Sequence, residues 1–156
     1  MLVRANHPEN YSNRSHTLVM YAPTIEHIRS ASGSLATFDE FALRMRPNVI
    51  LKEAGTSTDT IDQPVAAEDA WGELSCMSDA AVHAKVVRPC TRCDRVCIDP
   101  KTGILDKQDS GAVLKSIIAT KRSPASSFLT LGVLVDFSPC LLTETLKLSV
   151  TQMSTV

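Results

Sequence analysis

The chain has 156 residues, enough for one domain with a real core, and it is 44% hydrophobic and 21% charged, an ordinary globular balance. A formal net charge of −1 excludes a global attraction to nucleic acid or anionic membrane, though a local anion site stays open. No apolar run approaches the ~18 residues that would span a bilayer, and the opening MLVRANHPEN lacks the apolar core of a signal peptide. The expectation is therefore an intracellular protein, cytoplasmic or mitochondrial and not secreted, in which the sequons at Asn10 and Asn13 carry no weight. Five cysteines, at 76, 90, 93, 97 and 140, are an odd number in a reducing compartment and argue against a disulfide framework.

In chain order, TLVMY at 17–21 is a short apolar run that predicts a buried strand. Pro23 opens a short helix with Ile25 and Ile28 on one face, and SASGS at 30–34 reads as a loop. Thr37-Phe38-Asp39-Glu40 has capping-box spacing and predicts a helical turn behind it. Arg46-Pro47 interrupts that segment, with Pro47 biasing the residue before it towards extended backbone, and 48–51 (NVIL) predicts a strand. Residues 54–68 are small and polar and read as a long surface loop. A strand from about Val82 through 84–87 delivers the chain into Cys90-Thr91-Arg92-Cys93. Asp99-Pro100-Lys101-Thr102-Gly103 is a turn. Val113, Ile117 and Ile118 predict a helix over 111–120, and 129–135 and 142–150 are strand candidates. The class is α+β, mixed and β-rich.

The densest chemical feature is Cys90-Thr91-Arg92-Cys93, followed by Cys97. Structural zinc needs four ligands, and neither a second CxxC nor paired histidines at 7, 16, 27 and 83 supply them. A thioredoxin-type dithiol opens a helix, whereas here a turn motif follows within six residues. A third reading makes one cysteine a thiolate ligand or nucleophile whose pKa Arg92 lowers, and a fourth makes these cysteines small buried hydrophobes. Arg46-Pro47-Asn48 is a second candidate, because a guanidinium fork suits phosphate and an amide both donates and accepts. Trp71, the single tryptophan, is expected in the core, with Asp69 capping the turn beside it.

Taken in order, four blocks resemble the MOSC domain family, which includes the mitochondrial amidoxime-reducing component and the C-terminal domain of molybdenum cofactor sulfurase. They are Arg46-Pro47-Asn48-Val49-Ile50, Glu68-Asp69-Ala70-Trp71-Gly72-Glu73-Leu74, Cys90-Thr91-Arg92-Cys93 and Asp99-Pro100-Lys101-Thr102-Gly103. Tyr11-Ser12-Asn13-Arg14-Ser15 ahead of Leu18 is similar, more faintly, to a hydroxyl-rich stretch of that family, with Arg14 where a threonine is usual. The resemblance implies a partial MOSC-type β-barrel with a few peripheral helices, truncated at both ends. Residues 1–136 would form it, best matched over 45–103, and 137–156 would be a divergent C-terminal tail.

Carried over residue by residue, Cys93 corresponds to the cysteine that ligates molybdenum and is the implied catalytic and metal residue. Ser15, Arg46, Asn48, Thr91 and Arg92 correspond to residues that hold the molybdopterin. A soft thiolate suits such a metal, and guanidinium forks suit the pterin phosphate. Cys90 has no role in the resemblance. The implied cofactor is molybdenum-molybdopterin and the implied reaction is reduction of N-hydroxylated compounds, with electrons from a small haem cytochrome and its flavin reductase. The family-level association with pyridoxal phosphate also comes with the resemblance, although no motif for a pyridoxal-phosphate lysine is evident. Two rivals stand beside this reading. One is a sulfur-carrier, cofactor-sulfurase-type MOSC domain. The other is a non-catalytic fragment whose unpaired strand edges aggregate.

Overall fold

The computed structural model describes residues 16–52, 65–76, 83–92, 94–105, 110–120, 129–137 and 148–152. Among the described residues six strands form a mixed sheet: β1 (Thr17–Tyr21), β2 (Val49–Leu51), β3 (Trp71–Cys76), β4 (His83–Thr91), β5 (Thr130–Phe137) and β6 (Leu148–Gln152). Their order across the sheet is β2-β1-β5-β4-β3-β6. Three helices accompany them: α1 (Ala22–Ala31), α2 (Phe38–Met45) and α3 (Ser110–Thr120). Short 3-10 turns occupy Ala67–Ala70 and Asp94–Cys97. This is an α+β, β-rich architecture, as expected.

Among the described strands only β1 and β2 run parallel, with Val19 beside Val49 and Tyr21 beside Leu51. Parallel neighbours need a crossover, and α1 and α2 supply it. The remaining ladders are antiparallel, β5 lying between β1 and β4. The continuous apolar run of β1 follows from its position. Leu18 and Met20 face a core built with Ile25, Ile28, Phe41, Ala42, Met45, Val113 and Ile117 from the helices. Val19 and Tyr21 face the opposite side, with Val49, Leu51, Trp71, Leu74, Val133 and Val135. A strand covered on both faces has no polar positions to alternate with.

Helix α1 begins at Ala22, with Pro23 in its first turn as predicted, and runs through Ala31. It therefore takes in the first two residues of the expected SASGS loop. Gly33, at φ +68°, then turns the chain, donating its N–H to Ser30 O at 3.1 Å. Helix α2 carries the expected capping box. Glu40 N donates to Thr37 Oγ1 at 3.3 Å, and Thr37 N donates to Glu40 Oε2 at 3.0 Å. In α3, Val113 and Ile117 are buried but Ile118 is 60% exposed. Val113 and Ile117 are four apart and share a face, whereas the next residue turns to solvent.

Other expectations change as well. Strand β3 lies where no strand was expected, and the pairing of β3 with β6 shifts register between Trp71 and Glu73. That irregularity leaves Trp71 and Leu74, three apart, both buried, so period-two alternation never shows. In the region read as a surface loop, residues 53–64 lie outside the described residues. Its end forms the 3-10 turn Ala67–Ala70 with Glu68 buried. The strand expected at 142–150 is described from Leu148 and reaches Gln152.

Candidate functional site

The candidate site lies where β4 ends and α2 ends. Strand β4 delivers Arg92 beside β5, where its backbone N–H donates to Leu129 O at 2.7 Å. The Arg92 guanidinium then reaches across to the C-terminus of α2 and donates Nη2–H to Met45 O. That carbonyl is one of those a helix end leaves without an intrahelical partner, and a cation there also suits the helix dipole. Nη1 lies 3.8 Å from Cys90 Sγ. Nε is buried and has no hydrogen-bond partner among the described residues.

Arg46 follows Met45 directly. It caps α2 in the left-handed region at φ 53°, ψ 41°, its N–H donating to Ala42 O and Leu43 O at 3.2 Å each. Pro47 would favour extended backbone at this position. The capping of α2 wins, because those bonds satisfy carbonyls at the helix end. Arg46 is exposed while Pro47 is buried, so the second guanidinium is carried on the outside of a fixed corner. Asn48 is turned towards β1. Its N–H donates to Leu18 O at 3.0 Å, and its Oδ1 accepts from Leu18 N at 2.8 Å. These bonds prolong the β1–β2 pairing by one residue.

Thr91 is exposed at the end of β4, opposite Thr130. Cys90 is half-buried and packs against the helix-side core, and Cys97 is buried in the same core. Ser15 and Cys93 lie outside the described residues. The fold thus anchors Arg92 at Met45, the residue before the exposed Arg46, keeps Thr91 on the surface, and engages Asn48 Oδ1 with β1.

The segment that follows is fastened to α2 a second time. The turn Asp99 to Gly103 closes through Gly103 N to Asp99 O at 2.8 Å and Lys101 N to Asp99 Oδ1 at 2.7 Å. Lys101 Nζ then pairs with Glu40 Oε1 at the start of α2. Lys101, and after it the Thr37 backbone N–H, hold the Glu40 carboxyl down at about 2. The chain between Arg92 and Lys101, which contains Cys93, is therefore tied to both ends of one helix. Val96 and Cys97 also pack with Phe41 and Met45 on that helix.

Sequence reasoning did not anticipate that the Met45 carbonyl would receive Arg92, since a backbone acceptor 47 positions away leaves no pattern. It also missed Glu68 as a buried carboxyl, for a lone glutamate in a polar stretch carries no burial signal. Among the described residues, no group of three or more His, Cys, Asp or Glu side chains is arranged to hold a metal ion. No described helix is long and apolar enough to cross a membrane.

A mixed sheet with helices packed on it, and a guanidinium anchored at the end of α2 one residue before a second arginine, define an α+β protein with a candidate anion site. The chain is similar to Mitochondrial amidoxime-reducing component 1 of Mus musculus, at 33% identity over 106 residues, or 68% of this chain. It spans about a quarter of that relative, 26% of its length. No family model matches the chain. The likeness supports a MOSC-like relationship at this identity and coverage.

Proposed function

We propose that this chain is a MOSC-type domain that binds molybdenum-molybdopterin, with residues 1–136 as its MOSC-type part and 137–156 as a divergent tail. The observation that carries the reading is Arg92, whose buried Nε has no partner among the described residues while its Nη2 is anchored at Met45. Leaving a buried donor unmade costs about 1–3 kcal/mol, more for a charged group. An anionic acceptor removes that cost and forms a charge-assisted hydrogen bond with the guanidinium. Arg46 adds a second positive charge one residue beyond Met45. The donor set thus fits a phosphate-bearing cofactor.

In this reading Arg92 and Arg46 hold the pterin phosphate, and Thr91 offers a hydroxyl from the same surface. Asn48 fixes the β1–β2 corner from which Arg46 projects, and Ser15 contributes a further hydroxyl. Cys93, the chain neighbour of Arg92, provides the thiolate for the metal. When bound, the cofactor supplies two-electron reduction of N-hydroxylated compounds. The protein's part is to orient the pterin and balance its charge. Electrons would come from a small haem cytochrome and its flavin reductase.

The test is the molybdenum and pterin content of the purified chain, produced in cofactor-making cells, beside Cys93→Ser and Arg92→Met. Near-stoichiometric metal and pterin are expected, with metal lost in Cys93→Ser. Pterin retention should weaken on the order of 10- to 100-fold in Arg92→Met, the equivalent of one charge-assisted bond. Folded wild-type chain carrying neither metal nor pterin would overturn the proposal.

A further inference from the structure

Glu68 is buried away from the candidate site, and nothing in the cofactor reading uses it. It lies in the 3-10 turn Ala67–Ala70 and is 1% exposed. Its Oε2 accepts a hydrogen bond from Thr24 Oγ1 at 2.7 Å, and that same hydroxyl oxygen accepts from Ala66 N at 3.0 Å. Oε1 is buried with no hydrogen-bond partner among the described residues. The carboxyl therefore sits under the first turn of α1, which has no acidic residue of its own and whose N-cap, Tyr21, makes no side-chain cap. Through Thr24 it also steadies Ala66, a non-glycine residue held at φ +65°.

We propose that Glu68 is a proton-responsive latch: neutral, it fastens the 3-10 turn Ala67–Ala70 to the corner between β1 and α1, and on losing its proton it releases that turn. A neutral carboxyl is tolerated in an apolar setting with one good hydrogen bond, whereas a carboxylate with an unpartnered oxygen is not.

The surroundings decide where the change falls. Burial is the largest influence and pushes the Glu68 carboxyl up to about 7, and the Asp69 charge beside it acts in the same direction. The Thr24 hydroxyl and the backbone amides of Glu68 and Tyr21 oppose this without overcoming it. The other charged groups on the packed elements are engaged elsewhere or exposed. On β5, Asp136 is exposed and meets His16 Nδ1 at 2.6 Å. On α1, Arg29 pairs with Glu26 and His27 is exposed.

Trp71 reports on the latch directly. It is the only tryptophan, follows the turn at once, and packs edge-on against Tyr21 with ring centroids 5.8 Å apart. Tryptophan fluorescence of the full chain is followed from about pH 5 to about pH 9, together with Glu68→Gln, which mimics the neutral acid. The expected result is a sigmoid change with midpoint near 7 in the wild type that disappears in the variant. Histidines titrate in the same range. A transition that persists unchanged in Glu68→Gln therefore overturns the proposal, as does a flat wild-type trace. Should the glutamine variant fail to fold, carbon-13 labelling of the wild-type glutamate carboxyls replaces it. One carboxyl carbon with a midpoint near 7 then supports the latch, and midpoints all below about 5.5 overturn it.

Discussion

Replacing Gly132 with alanine tests how closely β5 approaches β1. Gly132 lies in β5 at φ +72°, and a Cβ there would fall 2.6 Å from Met20 Cγ and 2.7 Å from Val19 O. Leu18 Cδ1 would be 3.2 Å away. Two costs add. A non-glycine residue in the left-handed region costs roughly 1–2 kcal/mol. Overpacking a well-filled core costs roughly a further 1–3 kcal/mol, and here one obstacle is backbone of the adjoining strand, which cannot rotate away as a side-chain end can. The sum is about 2–5 kcal/mol, a large part of the ~5–15 kcal/mol that holds a domain together. With a urea slope of about 2 kcal/mol per molar, the unfolding midpoint should fall by ~1–2.5 M. Gly33→Ala separates the terms, because Gly33 has nearly the same φ of +68° but nothing within 4 Å of its Cβ position. It should lose only the backbone part. If Gly132→Ala shifts the urea midpoint no further than Gly33→Ala, the close contact between β5 and β1 is wrong.

Three further outcomes are expected. Thr37→Ala removes the acceptor for Glu40 N and should cost about 1 kcal/mol, read from urea unfolding at neutral pH. The Glu40 carboxyl is held at about 2 in the folded chain against an ordinary 4.5. Its contribution is therefore present above pH ~4.5 and fades as pH falls towards ~2, and Lys101→Met should move that loss to higher pH in an acid-unfolding series. Glu68 works in the opposite direction. Its folded value of about 7 against 4.5 means that the folded chain keeps a proton the unfolded chain gives up between these values. The stability that this proton confers is complete below ~4.5 and gone above ~7, a decline of roughly 3 kcal/mol that Glu68→Gln should abolish in urea midpoints measured across that range.

The local elements were legible because their partners are neighbours in the chain. Thr37 and Glu40 are three apart, the spacing at which a side chain and a helix N-terminal amide meet, and the capping box forms as read. Asp99 to Gly103 carries its own turn chemistry and closes on itself. The apolar run Leu18 to Tyr21 of β1 announces a buried strand, and the sheet and helices cover both its faces. Strand β3 was hidden because its register irregularity removes the alternation by which strands are recognised.

Of the candidate site, residue types were readable and their arrangement was not. Arginine, asparagine and cysteine in those blocks name a chemistry, and the likeness to the amidoxime-reducing component covers a large share of the chain. Nothing local says that Arg92 crosses to Met45 O, leaving Nε buried and without a partner among the described residues, or that Asn48 Oδ1 pins Leu18 N. Nor could Pro47 reveal that Arg46 would adopt the left-handed conformation it tends to oppose, since the end of α2 decides that angle. The burial of Glu68 is the same kind of fact. Capping, turn chemistry and hydrophobic period act between residues a few positions apart and are written in the chain. The solvation of a carboxyl and the acceptor of a guanidinium depend on which distant segments close over them, and only the packed structure determines those.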